Sequence, residues 1–386
     1  MRTLAVDALR MVGRRTAQGR LVEYLAYEWS RMEIPFDRVV LMAPRNIELP
    51  SLGATTQVVV DVFGDKLPLV AWEQLALPVR ARETAVLFCP TYIGPLFSKA
   101  PVVVGNHGIY ERMPDEFSRV QRLRSTTLHR LSARRASRVI ANSLNTRIDV
   151  AEFFGLSDDE IDVVYPAAHH VFFDEKTPDA ISTEVRRVLG GDEPYFIFVG
   201  KLSRRRHIPE LVEAFARLRS HTSPTHRLLI VGPNTSGTDV NALARANGVA
   251  ESVIYRPHLD QDSLALLYAG ADAFVLPTTY EGISYTMFEA MASGTAVLTV
   301  DHPTLAEGAG DTALAVESPS TADLYEGMRQ IATDEVLRRE LGQRGRARAA
   351  TFSWTRNARE SAAILDRVAL RSDGGRHAHS TATSDV

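Results

Sequence analysis

Two glutamates eight residues apart, Glu281 and Glu289, stand in the segment Pro277–Thr299, PTTYEGISYTMFEAMASGTAVLT. A carboxylate accepts hydrogen bonds and donates none, which suits sugar hydroxyls rather than phosphate. Between the two acids, Gly282 permits close backbone approach, and the N–H groups of Ile283, Ser284 and Tyr285 open a helix whose start favours an anion. A second segment, FIFVGKLSRRRHIPELVEAF over 196–215, puts four cations, Lys201 and Arg204–Arg206, on one loop ahead of a helix with Pro209 in its first turn. Such a loop can neutralise a diphosphate without a metal. A third candidate is His107 in VVVGNHGIY, where an apolar run ends.

These residues must be held by elements, and the elements repeat. Apolar or β-branched runs at 39–42, 58–60, 86–88, 102–104, 139–141 and 163–165, then 195–199, 228–231, 253–255, 273–276 and 296–300, alternate with helical patterns. Continuous apolar strands separated by helices predict parallel sheets buried on both faces, an α/β protein of doubly wound type. Ligands in such folds sit at the carboxyl ends of strands, where the loops at 200–206 and 277–284 fall. Gly294 predicts an αL stop for the helix that starts near Tyr285.

The organisation expected is an N-terminal Rossmann-like domain over 1–172, a connection over 173–193 with a short helix inside it, and a second Rossmann-like domain over 194–355. A helix over 356–370 follows, with Trp354, Ala358, Ser361, Ile364, Leu365 and Val368 on related faces, and then a small, polar tail over 371–386 that reads as disordered.

Composition removes several classes. With 44 Lys+Arg against 47 Asp+Glu the chain has no global basic field, so nucleic acid is not an expected partner. The single cysteine, Cys89, excludes an intrachain disulfide and a Cys-based zinc site, fits a reducing cytosol, and in LFCP reads as a buried small hydrophobe. No apolar run approaches the ~18 residues that span a bilayer, and Asp7 and Arg10 interrupt any N-terminal signal core, so a cytoplasmic location is expected. Asp260-Gln261-Asp262 is formally a metal-holding acidic pair, but it precedes the helical run SLALLYAGA and reads as a helix cap; no metal and no cofactor is predicted. Seven arginines and no acid occupy 119–138, a basic helix suited either to solvent or to the anionic inner face of a membrane.

The segments GKLSRRRHIPELVEAF and YEGISYTMFEAMASGTAVL closely resemble the family 4, GT-B-fold retaining glycosyltransferases, with their Glu-x7-Glu signature and cationic phosphate loop. RVIANSLNTRIDVAEFFGLSDDEIDVVYPAAHHVFF looks like the end of such an N-terminal domain, FSWTRNARESAAILDRV like the terminal helix that crosses back to it, and YRPHLDQDSLALLYAGADAFVLPT like the segment around the nucleotide base.

The resemblance implies two Rossmann-like domains facing a central cleft and transfer of a sugar from a nucleoside-diphosphate donor, UDP- or GDP-linked, to an acceptor hydroxyl. It implies that Lys201 and Arg206 hold the donor phosphates, with Gly282, Ile283 and Ser284 donating backbone N–H groups. Glu281 and His107 face the transferred sugar, Glu289 takes the ribose hydroxyls, and His258 and Leu259 flank the base. Gly19 and Arg20 are what remains of the family's glycine-rich N-terminal loop. GNHGIY lacks the aspartate that often follows the histidine, and Pro257 stands where a glycine is common. The mechanism implied is a metal-independent front-side displacement in which the leaving diphosphate helps deprotonate the acceptor, whether glycan, lipid-linked or small molecule. Alternatives from the same residues are a sugar-nucleotide epimerase and a sugar-nucleotide-binding scaffold or sensor without transfer activity.

Overall fold

The computed structural model describes residues 1–13, 17–113, 118–223 and 225–381 of the chain. It folds into two units, one built on Met1–Arg112 with the stretches up to Pro166 and from Ser353 onward, the other on Ala167–Phe352.

The first unit carries a seven-stranded sheet of β1 (Thr3–Asp7), β2 (Arg38–Ala43), β3 (Gln57–Val62), β4 (Val86–Cys89), β5 (Val102–Asn106), β6 (Arg138–Ala141) and β7 (Ile161–Val163) in the order 3-2-1-4-5-6-7. Every pairing is parallel. The order reverses between β1 and β4, the topological switch point at which doubly wound sheets bind ligands.

Three strand expectations change. Thr3–Asp7, read from sequence only as a broken signal core, is an interior strand, all five residues buried between β2 and β4; a five-residue strand ending in a carboxylate has too little periodicity to announce itself. β7 lies at 161–163 rather than 163–165, because its register pairs Ile161 with Val139. Leu314–Val316, absent from the expected list, forms a short edge strand in the second sheet.

The second unit holds β8 (Tyr195–Val199), β9 (Arg227–Val231), β10 (Val253–Arg256), β11 (Ala273–Leu276), β12 (Ala296–Val300) and β13 (Leu314–Val316), in the order 10-9-8-11-12-13, again all parallel. Its switch point is between β8 and β11. Phe196, Phe198, Ile230, Val275 and Leu298 from the strands pack with Leu211, Phe215, Leu324 and Met328 from the helices to form the core. A fully buried Phe or Leu contributes about 1.5–3 kcal/mol, so these positions carry the fold.

The connection expected over 173–193 is integrated into the second unit. Its helix, Pro178–Leu189, is capped by the Thr177 side chain and packs on the Gln261–Gly270 helix, where Gly270 leaves room for Ile181 and Val185. The C-terminal helix runs from Trp354 to Thr381. All six residues expected on its packed faces are buried, and it is tied to the first unit by Trp29 Nε1 donating to Ala358 O (2.9 Å), Asn357 Nδ2 donating to Tyr165 O (2.7 Å) and an Arg2–Asp366 ion pair (2.7 Å). The helical backbone continues past 370 into the stretch expected as a tail, since adding a residue to an existing helix costs far less than starting one; residues 382–386 lie outside the described residues. No helix among the described residues is long and apolar enough to cross a membrane.

Candidate functional site

In the second unit the two loops at the switch point are joined into one structure. Beyond β8, Leu202 N donates to Pro233 O (2.8 Å) and pairs as a bridge with Asn234, after which Arg204–Arg206 form a single 3-10 turn. Thr279 N, in the loop after β11, donates to Arg205 O (3.1 Å). The chain leaves the turn through His207 at φ 46°, a left-handed conformation rare outside glycine, and enters the Ile208–His221 helix. Gly232 lets these strands end close together: a Cβ there would lie 2.0 Å from Gly200 O.

The turn presents its arginines to the Glu281 carboxylate. Arg206 Nη2 lies 2.5 Å and Arg205 Nη1 2.6 Å from Glu281 Oε1, with all three side chains nearly buried. Arg205 Nη1 also donates to Tyr280 O (2.6 Å) and Thr278 Oγ1 (3.1 Å). A buried carboxylate is retained only when paired and hydrogen-bonded, and two guanidinium groups supply that here. Lys201 and Arg204 are exposed on the same loop, so the site holds four cations against one carboxylate.

Ser284 is the N-cap of the Tyr285–Ala292 helix, its hydroxyl accepting from Met287 N (3.2 Å), and Gly294 follows at φ 76° as the αL stop. The first N–H groups of this helix have no intrahelical acceptor and point where an anion is favoured. Gly282 and Ile283 lie buried in the loop just ahead of it. Glu289 is buried one turn inside the same helix, 6% exposed. His258 and Leu259 follow the edge strand β10, His258 exposed and Leu259 half-buried, and Asp260 accepts from Ser263 N (2.8 Å) as a helix cap, as its position predicted.

In the first unit, His107 follows β5. Its Nε2 lies 2.7 Å from Pro90 O. A carbonyl only accepts, so the proton sits on Nε2 and Nδ1 carries a bare lone pair. That Nδ1 is buried and has no hydrogen-bond partner among the described residues. Burial holds the imidazole below its ordinary range, partly offset by the bond to Pro90, so the ring is neutral at pH 7.

Gly19 and Arg20 are not in a loop. Both lie in the first turns of the Ala17–Trp29 helix, and Gly19 is there because a Cβ would meet Arg10 O at 2.3 Å. Helix residues Arg119–Arg135 begin with a capping box at Ser118 and Gln121. Arg138, expected in the same basic helix, instead lies in β6 and pairs with Asp162 (2.7 Å).

Sequence reasoning missed an acidic pair at the first switch point. Asp7 ends β1, and Glu73 sits in a π-helical turn, Trp72–Ala76; both are more than nine-tenths buried. Burial pushes Asp7 up to about 6, against the Leu9 N–H (2.9 Å) and the charge of Arg10. Burial, and then the charge of Asp7, push Glu73 up to about 7. The same surroundings push the buried Cys89 thiol well above its usual range.

Residues 183–348 match the family model described as Glycosyl transferases group 1, and residues 18–170 the model described as Glycosyltransferase Family 4. A D-inositol 3-phosphate glycosyltransferase of Nocardia farcinica is 32% identical over 231 residues, 58% of this chain and 51% of that protein. An O-antigen chain mannosyltransferase B of Escherichia coli is 29% identical over 161 residues, 42% of each chain. The chain spans about half the length of the relatives it matches. Among solved structures, Anabaena HepE in complex with UDP and glucose superposes with a TM-score of 0.73 at 19% identity, over 95% of this chain and 100% of that one. WaaG, a glycosyltransferase involved in lipopolysaccharide biosynthesis, gives 0.72 at 17% identity over 95% and 99%.

Proposed function

Since the chain belongs to the family 4, group 1 type glycosyltransferases and carries two parallel Rossmann-like sheets of the GT-B class, we propose that it transfers a sugar, with retention, from a UDP- or GDP-sugar to an acceptor hydroxyl without a metal. The observation that carries the reading is the cluster of Lys201, Arg205, Arg206 and Glu281 beside the Ser284-capped helix start, at the carboxyl ends of β8 and β11.

In this reading Lys201 and Arg206, with the N–H groups of Gly282, Ile283 and Ser284, bind the donor's phosphates. Glu289 accepts from the ribose hydroxyls, and His258 and Leu259 flank the base. Glu281 and His107 meet the transferred sugar, as the resemblance implies. Arg205, anchored on Tyr280 O and Thr278, keeps Glu281 in place. A carboxylate shared by two guanidinium groups is a weak nucleophile, which favours front-side displacement over a covalent intermediate. The protein's contribution is then electrostatic: cations and helix N–H groups stabilise the departing diphosphate, whose oxygen takes the acceptor proton. The fixed cations do the work a metal would otherwise do, and full activity in EDTA is the expected result.

The Arg119–Arg135 helix exposes Val120, Leu123 and Leu131 among six arginines. That pattern suits peripheral contact with an anionic inner leaflet, a place to meet a lipid-linked acceptor. Co-sedimentation with phosphatidylglycerol vesicles but not with phosphatidylcholine vesicles is expected; equal recovery with both removes this contact.

The test of the main reading is a thermal-shift panel of UDP-, GDP-, ADP- and TDP-sugars, because a ligand that binds only the folded state raises its melting temperature. A shift confined to one base, lost in Glu289→Ala, is expected. No shift with any of the four overturns the reading.

A further inference from the structure

We propose that Tyr92 is a positioning residue for His107, held in a left-handed backbone conformation by the ring of His129. The proposal rests on the reading that His107 meets the donor sugar.

Tyr92 lies three residues beyond β4, at the switch point of the first sheet. Its φ is 58°, and among the described residues only Tyr92 and His207 are non-glycines with positive φ. A side chain in this region costs free energy that glycine would not, and such residues persist where surrounding contacts over-determine them. His207 directly follows Arg206 in the phosphate-side loop, so each strained residue flanks a candidate site residue.

The contacts that hold Tyr92 are specific. Its N–H donates to Gly105 O (2.7 Å), two residues before His107. Its ring stacks on His129 with centroids 5.0 Å apart and planes at 16°, and meets the His107 ring edge-on at 5.6 Å and 77°. His129, from the Arg119–Arg135 helix, is fixed in turn: its Nδ1 lies 2.5 Å from the Glu111 carboxylate, and that carboxylate is 4% exposed. Burial works against it, but the pairing with His129 draws the Glu111 carboxyl below its ordinary range.

The loop over 90–92 therefore acts on His107 twice. Pro90 O accepts from Nε2–H, and Tyr92 walls the ring. An edge-to-face contact has a preferred geometry, so it resists rotation of the imidazole about its Cβ–Cγ axis. Without that wall a ring turn would put Nε2 at the Cε1 position and Nδ1 at the Cδ2 position, breaking the bond to Pro90 O that fixes the Nε2–H tautomer and moving the bare lone pair to the other side of the ring.

The experiment is long-range 1H–15N spectroscopy of the eleven imidazoles in the full chain, with His107→Gln assigning the signal. The wild-type His107 is expected as a single Nε2–H tautomer. In Tyr92→Leu it is expected as a tautomer mixture, with kcat for donor turnover reduced on the order of tenfold and KM within about twofold. Tyr92→Phe keeps the ring and is expected to restore both. Tyr92→Gly relieves the backbone strain, so its melting temperature should stay near wild type while the tautomer is still lost, which separates positioning from folding. A single Nε2–H tautomer in both Tyr92→Leu and Tyr92→Gly overturns the proposal. Undiminished turnover in His107→Ala instead overturns the sugar-contact reading, and the tautomer result then stands on its own.

Discussion

Glu281 and Arg206 form a nearly buried ion pair at 2.5 Å, and Arg205 shares the same carboxylate oxygen at 2.6 Å. The two arginines are consecutive, yet their surroundings differ. Arg205 is also bonded to Thr278 and Tyr280, whereas Arg206 lies against Gly200, its Nη1 3.2 Å from where a Cβ would stand. Arg205 therefore ties the Glu281 carboxylate to the loop after β11, while Arg206 pairs with the same oxygen from beside Gly200.

Arg206→Ala should weaken binding of UDP or GDP by about 2–5 kcal/mol, the range for losing one partner of a desolvated charge pair. Isothermal titration checks it, and an unchanged Kd would remove Arg206 from the phosphate site. Arg205→Ala should act differently, lowering stability by about 3–5 kcal/mol in urea unfolding because a buried carboxylate loses its better-anchored partner.

Glu289→Ala should cost nucleoside-diphosphate affinity about 1.5–3 kcal/mol, the usual worth of hydrogen bonds to a charged group. Phosphate-only ligands such as pyrophosphate should bind Glu289→Ala and wild type alike. Equal losses for UDP and pyrophosphate would place Glu289 at the phosphates instead of the ribose.

Asp7 and Glu73 make stability depend on pH with a definite sign. Folded, they titrate at about 6 and about 7; unfolded, both fall in the ordinary carboxylate range near 4. Between those limits the native state holds protons that the unfolded chain has lost, so stability should fall as pH rises from roughly 4 to 7. Glu73→Gln should therefore raise the melting temperature at pH 8 and change it little at pH 4, the gain being of order 3 kcal/mol at most. A loss at pH 8 would show that the ionised pair is stabilising.

Gly19→Ala sets helix propensity against packing. In an open helix the change would gain about 1 kcal/mol. Here the new methyl would stand 2.3 Å from Arg10 O, so a net loss of about 1–3 kcal/mol is expected in urea unfolding. A stabilised variant would mean that the turn at 9–11 yields readily.

Much of the fold was legible because it is written locally. Continuous apolar runs such as Tyr195–Val199 can only be strands buried on both faces, Gly294 can take the αL angle that ends a helix, and Trp354, Ala358, Ser361 and Val368 recur at helical spacing. The candidate donor site was legible for the same reason, since Glu281, Ser284 and Glu289 belong to one loop and helix.

Charge and geometry that come from residues distant in sequence are set by the folded chain alone. Periodicity cannot say that Arg205 and Arg206 both reach Glu281, or that Arg205 also bonds Thr278 and Tyr280, because those partners lie more than seventy residues away. It cannot bring Glu73 over Asp7, or seat Tyr92 between His107 and His129. The strand β1 escaped notice because five residues ending in an acid look like nothing until β2 and β4 flank them. Local sequence is enough to say which elements form and which residues have the chemistry. Burial and long-range pairing determined their protonation, their partners and their aim.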